Sequence, residues 1–141
     1  MSALKFTNAA GESRFGRYRI TPEAGTEYIN ESDLQSKDDD YLFAEIADRI
    51  AARPVRFTLA VQLADDGDVV DDATIGWPSD REIRELGTVQ LTTPVADVAA
   101  EQKHIIFDPI PRVAGIEPSD DPLLELRAAL YLISGRRRRK A

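Results

Sequence analysis

The chain has 141 residues, of which 43% are hydrophobic, and this is the length and composition of one ordinary domain with its own core. Its 18 basic and 25 acidic residues give a net charge of −7, and the run at residues 136–140 alone holds five of the basic residues. The remaining 13 basic residues face 25 acidic ones, a net charge of −12. Such an acidic body is repelled by phosphate backbones, which argues against a nucleic-acid-binding protein.

The absence of cysteine excludes disulfides, thiolate ligands and cysteine nucleophiles. No run of residues approaches the roughly 18 apolar positions of a membrane span, and the first residues lack a basic segment followed by an apolar stretch. These features predict a cytoplasmic protein. We expect residues 1–141 to form a single domain in which residues 136–141 are a basic tail. A solvated tail that complements the dipole of a preceding helix is favoured over a partner-binding tail.

The N-terminal part of the chain predicts a β-hairpin. Two strand-like runs, Leu4–Asn8 and Ser13–Ile20, flank Gly11, which can adopt a positive φ in the turn. The polar residues up to Lys37 predict a loop with a short helical turn.

A helix is predicted next. Asp38–Asp40 supply its cap and the negative charge of its first turn, and Pro54 limits its end. Four apolar residues at helical spacing form a stripe along it: Leu42, Phe43, Ile46 and Ile50.

The middle of the chain predicts two strands. Apolar residues alternate with polar or small ones from Val55 to Leu63, the pattern of a strand with one buried face. The acidic segment Asp65–Pro78 predicts a solvated loop, because Gly67 is misplaced for the glycine of a calcium-binding EF-hand. Leu86–Thr93 predicts the fourth strand, and Val95–Gln102 is short and weakly helical.

The last predicted element is a helix that opens at Asp121–Pro122, where the missing N–H of the proline costs nothing. Four strands and two principal helices indicate an α+β fold, an antiparallel β-sheet with flanking helices.

This last helix carries the candidate chemistry. Arg127 and Tyr131 are spaced i, i+4, which places a guanidinium beside a phenol on one helix face. An adjacent cation favours the phenolate, and a phenolate is a hard anionic axial ligand for ferric haem. The alternative is a structural tyrosine whose hydroxyl group is satisfied by Arg127.

The segment from His104 to Arg138 resembles the proximal haem segment of the catalase family, in which comparable motifs precede a helix with Arg-x-x-x-Tyr. The resemblance extends over nearly the whole chain and implies a partial catalase-like β-barrel that encloses haem. The matching segments are Lys5–Glu12, Asp38–Ala60, Asp71–Asp72, Trp77–Pro78, Leu86–Leu91, Phe107–Pro109 and Gly115–Ser119.

The resemblance implies a role for three residues. Tyr131 matches the axial tyrosinate ligand of the haem iron, Arg127 the arginine hydrogen-bonded to it, and Arg138 an arginine that contacts a haem propionate. A bidentate guanidinium suits a carboxylate. Leu132–Gly135 departs from the family pattern of Pro-Asp-Thr-His after the tyrosine, so the imidazole found there in the family is absent.

No catalytic residue is predicted in this chain. The distal histidine and asparagine of the family precede the segment that Lys5–Glu12 resembles, and the distal half of the core is therefore expected to be absent. The only histidine, His104, is interpreted as a structural or surface residue. Since splitting peroxide requires a positioned general base, the chain is expected to be inactive alone.

Three functional hypotheses follow. The first is a catalase-like haem protein fragment or subunit whose family activity is hydrogen peroxide decomposition. The second is a haem- or small-molecule-binding module without redox turnover, and the third is an interaction domain whose tail binds an acidic partner. Because half a barrel exposes strand edges and an apolar face, the expected partner is a homo-oligomer or a chain that carries the distal half.

Overall fold

The computed structural model describes residues 1–140 as a five-stranded antiparallel sheet with helices beside it. The strands follow the order β4-β3-β2-β1-β5 across the sheet, so β4 and β5 form its edges. The α+β fold class is confirmed. Along the chain the elements are β1 Leu4–Thr7, β2 Ser13–Pro22, α1 Glu31–Leu34, α2 Tyr41–Ala52, β3 Val55–Leu63, β4 Ile83–Leu91, α3 Val98–Gln102, β5 Ile116–Pro118 and α4 Pro122–Arg138.

The hairpin of β1 and β2 forms as predicted, with Gly11 at φ 83° in its turn. β5 was not predicted, because three residues that end in Pro118 are too short to show a period. β4 begins at Ile83 and ends at Leu91, so it starts three residues before the predicted strand, in a charged stretch that pairs with β3.

α2 differs from its prediction in two respects. Asp40 occupies the N-cap position but its side chain makes no capping hydrogen bond. Leu42 and Phe43, two members of the predicted apolar stripe, are 61% and 80% exposed.

The prediction that β3 buries only its apolar face is wrong at its C-terminal end. Gln62 is 1% exposed, and Ala60, on the same face, is buried as well. The segment 65–78 covers this face, since Gln62 donates to the carbonyl of Pro78 at 2.8 Å. This segment is therefore packed in part against the sheet and is not wholly solvated.

The core lies where α4 meets the β5 end of the sheet. Leu4, Ile110 and Leu124 are buried together there. Partly buried residues surround them, namely Phe6, Tyr18, Ile116 and Ala128. This packing fixes the position of α4 relative to the strands. Within residues 1–140 no helix is long and apolar enough to cross a membrane.

Candidate functional site

The candidate site is built on α4, which begins as the sequence predicts. The Asp121 carboxylate accepts a hydrogen bond from the backbone N–H of Leu123 at 2.9 Å, and Pro122 occupies the first turn. Basic residues end the helix, where they complement its dipole. The helix includes Arg136–Arg138, so the first half of the predicted basic tail is helical, and Ala141 lies outside the described residues.

The predicted pair is in contact on this helix. Nη2 of Arg127 donates to the hydroxyl oxygen of Tyr131 at 3.2 Å, and the guanidinium carbon lies 5.4 Å from the centre of the ring. Tyr131 is half-buried, whereas Arg127 is exposed. The guanidinium therefore reaches the phenol oxygen from the solvent side. Both interpretations of the tyrosine, haem ligand and structural residue, include this contact.

An apolar stripe runs along α4 beside this pair. Its members are all exposed and follow helical spacing, so they share one side of the helix: Leu123, Leu126, Leu130 and Ile133. Tyr131 lies between this exposed stripe and the buried side of the helix, where Leu124 enters the core. A phenol oxygen next to an open apolar surface is a donor set that fits a flat, largely apolar macrocycle such as haem.

Arg127 also borders a small cavity between α4 and the start of β1. The volume of this cavity is about 260 Å³. This is slightly below the roughly 300 Å³ at which ordinary small-molecule sites begin. It is lined by Met1, Ser2, Leu4, Tyr18, Asp108, Pro109, Pro111, Leu124 and Arg127. The apolar stripe itself stays open to solvent.

Arg138 is bound to the chain segment that precedes the core. Its Nε donates to the carbonyl of Gln102 at 3.2 Å, its Nη2 to that of Ile105 at 2.7 Å, and its Nη1 to the hydroxyl of Ser134 at 2.8 Å. The guanidinium also lies 5.1 Å from the ring centre of Phe107. These contacts use three of the five N–H donors of an arginine and leave two for a further partner.

Gly135 lies in the position where the family pattern has its imidazole. It is buried, and a Cβ atom there would lie 2.2 Å from Cδ1 of Ile106. Ile106 therefore packs closely on α4 one turn beyond Tyr131, and this contact requires the small residue.

His104 is exposed, and its backbone N–H donates to the carbonyl of Glu101 at 3.1 Å. This agrees with its interpretation as a surface residue. Within residues 1–140 no group of three or more His, Asp or Glu side chains is arranged to hold a metal ion.

Two features that involve charged side chains were missed by sequence reasoning. Asp108 pairs with Arg112 at 2.8 Å, and the backbone N–H of Ile110, followed by Arg112, holds the pKa of that carboxyl below its usual range. The i, i+4 spacing of Asp108 and Arg112 was the available signal in the sequence. It did not predict the pair because these residues lie outside a regular helix.

The second feature is the burial of Arg17, which is 6% exposed. Its guanidinium donates to three backbone carbonyls of the loop between β3 and β4, those of Ile75 at 2.7 Å, Asp72 at 3.1 Å and Val69 at 3.3 Å. It stacks on Trp77 at 4.1 Å from the ring centre. Burial, and then the nearby charge of Arg19, lower the pKa of Arg17.

Comparisons with known proteins agree with the fold. The model of the catalase family matches residues 1–140. The chain therefore belongs to the catalase family.

Two curated relatives are catalase-related peroxidases. The one from Mycolicibacterium paratuberculosis is 39% identical over 134 residues, which cover 95% of this chain and 42% of that protein. The one from Synechococcus elongatus is 32% identical over 134 residues, which cover 95% of this chain and 40% of that protein. The chain thus spans about two fifths of the length of these relatives.

Solved structures of full catalases share the fold. A fungal catalase superposes with a TM-score of 0.83 at 25% identity, over 97% of this chain and 30% of that one. Catalase A from Saccharomyces cerevisiae gives the same TM-score and coverage at 22% identity.

Proposed function

We propose that the chain is a haem-binding part of a catalase-like protein that decomposes hydrogen peroxide, with Tyr131 as the proximal ligand of the iron. The proposal rests on the position of Tyr131 beside the open apolar stripe of α4, in a chain that the catalase family model matches over residues 1–140. The names of the curated relatives, catalase-related peroxidases, support the substrate class. Ferric haem, when bound, supplies the redox chemistry of peroxide decomposition.

The residues of this chain would hold and orient that group. The guanidinium of Arg127 donates to the hydroxyl oxygen of Tyr131 and would fix the direction of the ligand oxygen. The apolar stripe of α4 would pack against the macrocycle and exclude water. The two remaining N–H donors of Arg138 would meet a propionate, while its other three hold Arg138 in place.

A general acid and base are still required to move the proton between the two oxygens of peroxide. His104, the only histidine, is exposed and lies outside α4. We therefore propose that a partner completes the site, either in a homo-oligomer or as a chain that carries the distal half. The second candidate function is a haem- or small-molecule-binding module without turnover. It is favoured by the same observation, that the chain has one histidine and that this histidine is exposed.

The experiment is a titration of the purified chain with ferric haem, followed by absorbance and by a pyridine haemochrome assay. Wild-type protein is expected to bind haem saturably and to show tyrosinate charge-transfer bands. Tyr131→Phe should abolish these bands while the circular dichroism of the fold persists.

Tyr28→Phe is the matched control, because Tyr28 is 91% exposed and lies outside α4. Its spectrum should equal that of the wild type. Unchanged charge-transfer bands in Tyr131→Phe would reject Tyr131 as the ligand of the iron. The absence of saturable binding would reject the proposal that the chain binds haem.

A further inference from the structure

Two buried charged side chains each keep one polar atom without a partner. Within residues 1–140, Nε of Arg17 and Oδ2 of Asp121 are the two buried polar side-chain atoms that make no hydrogen bond. Arg17 is 6% exposed and Asp121 is 3% exposed. Buried polar atoms are nearly always hydrogen-bonded, because an unpaired one destabilises the fold. Nε carries a donor and Oδ2 is an acceptor, so the two atoms are complementary.

The register of the sheet brings the two residues together. β1 lies between β2 and β5, and its register, continued to Ala3, sets that residue opposite Arg17 on one side and Ser119 on the other. The backbone N–H of Ser119 donates to the carbonyl of Ala3 at 3.3 Å. Residues directly opposite each other share one face of a sheet. Oγ of Ser119 accepts from the backbone N–H of Asp121 at 3.4 Å, so Asp121 lies at the end of the row that Arg17 begins.

Electrostatics agree with this placement. Burial, and then the charge of Arg19, lower the pKa of Arg17. Three carboxylates oppose this effect, and that of Asp121 acts most strongly. The interaction of two charges weakens with distance, so this order agrees with an Asp121 carboxylate close to the guanidinium. Nη1 and Nη2 of Arg17 already donate to carbonyls of the loop between β3 and β4, which leaves Nε to face Asp121.

We propose that one buried water molecule joins Nε of Arg17 to Oδ2 of Asp121, and that this link positions α4 so that Tyr131 can bind the haem iron. The water molecule accepts from Nε and donates to Oδ2. Such a bridge joins polar groups that make no direct hydrogen bond, and buried water molecules with two or more polar partners are regular parts of protein interiors.

The link makes Asp121 a positioning residue, because both of its oxygens then hold the first turn of α4. Oδ1 accepts from the backbone N–H of Leu123 at 2.9 Å and caps the helix. Oδ2 ties the same turn to Arg17 on β2. Tyr131 lies ten residues further along α4, or about 15 Å. A tilt of about 4° at Asp121 would move Tyr131 by roughly 1 Å, which exceeds the tolerance of a preorganised binding site.

The positioning role rests on the proposed haem site, whereas the link between Arg17 and Asp121 does not. A crystal structure and a urea cycle, both without haem, decide the link alone. A wild-type chain that binds no haem would overturn the proposed function and the positioning role together, and the link would still be decided by those two measurements.

The first measurement is a crystal structure of the wild-type chain. It is expected to show one water molecule at hydrogen-bond distance, about 2.7–3.2 Å, from both Nε of Arg17 and Oδ2 of Asp121. A direct bond between the two side chains, another partner for either atom, or no water molecule between them would overturn the bridge.

The second measurement is a double-mutant cycle, read by urea unfolding with circular dichroism. Asp121→Asn keeps an oxygen for the cap of α4, since asparagine and aspartate are equally good caps, but it removes the negative charge that opposes Arg17. The substitution should lower the urea midpoint of the wild type. In the Arg17→Met background, where the link is already lost, it should lower the midpoint by less than half as much. Equal losses in the two backgrounds would overturn the link.

The third measurement is the haem titration, under conditions in which every variant is folded. Asp121→Asn should raise the dissociation constant for ferric haem by roughly threefold or more. A merely structural role would lower the urea midpoint and leave this constant unchanged, and that outcome would overturn the positioning role. Asp97→Asn is the matched control, because Asp97 is exposed and caps α3 by accepting from the backbone N–H of Ala100 at 2.9 Å. It should equal the wild type in both measurements.

Discussion

Arg127 and Tyr131 lie one helical turn apart on α4, with the guanidinium bonded to the phenol oxygen at 3.2 Å. Arg127 is exposed and Tyr131 is half-buried, so the cation is held on the solvent side of a partly sheltered phenol. This relationship connects the local sequence to the proposed chemistry, because the contact orients the hydroxyl oxygen that would bind the iron.

Replacing Arg127 by leucine should weaken the binding of ferric haem. The hydroxyl oxygen of Tyr131 would lose the hydrogen bond that orients it, and we expect the dissociation constant for haem to rise by roughly threefold to tenfold. A haem titration followed by absorbance measures this constant. Arg127→Lys keeps an N–H donor and should weaken binding less; equal constants for the wild type and Arg127→Leu would contradict the role given to Arg127.

The haem-loaded chain alone should release little or no oxygen from hydrogen peroxide. Its only histidine, His104, is exposed and lies outside the helix that carries Tyr131. Without a positioned general base, the proton transfer that splits peroxide is slow. An oxygen electrode measures the release, with free haem as the blank. Turnover far above that blank would mean that another group of this chain acts as the acid and base.

Replacing Arg17 by methionine should destabilise the loop between β3 and β4. The carbonyls of Val69, Asp72 and Ile75 would each lose a hydrogen bond from a charged donor, and we expect a loss of about 3 kcal/mol in the free energy of unfolding. Trp77, the only tryptophan, stacks on Arg17 and reports the change through its fluorescence during urea unfolding.

Arg53→Met is the control for this substitution, because Arg53 is exposed at the end of α2. It should unfold like the wild type. A similar loss in both variants would indicate a general effect of removing a positive charge.

Asp68 should contribute stability that disappears in acid. Its hydrogen bond with Arg81, followed by one from the backbone N–H of Asp65, lowers the pKa of Asp68 in the folded protein. A carboxyl whose pKa is lower in the folded than in the unfolded state stabilises the folded protein at pH values above its pKa in the unfolded state, which is about 3.9. This stabilisation is lost as the pH falls towards the pKa of the carboxyl in the folded state. Asp68→Asn should therefore be less stable than the wild type at pH 7, and the difference should narrow below about pH 4.

Urea unfolding at several pH values between neutrality and acid measures this difference. Asp66→Asn, an exposed position in the same loop, is the control. A gap between Asp68→Asn and the wild type that is independent of pH would show that the carboxylate acts through packing and not through its charge.

The sequence by itself determined the elements whose causes are local. The cap at Asp121, the proline after it and the spacing of Arg127 and Tyr131 act within one or two turns of α4, and the structure has the helix and the contact as predicted. The hairpin turn at Gly11 is equally local. A residue and its neighbours within about four positions decide such features.

Only the tertiary structure decided which surfaces are buried and what the long-range partners are. Arg17 and Gln62 occupy the polar positions of alternating strands, yet they are buried because a distant loop covers that face and supplies carbonyl acceptors. Arg138 meets Gln102 and Ile105 more than 30 residues away, and no local pattern indicates that contact. A polar side chain is buried wherever the fold supplies hydrogen-bond partners for it, and those partners come from segments that the chain brings together only when it folds.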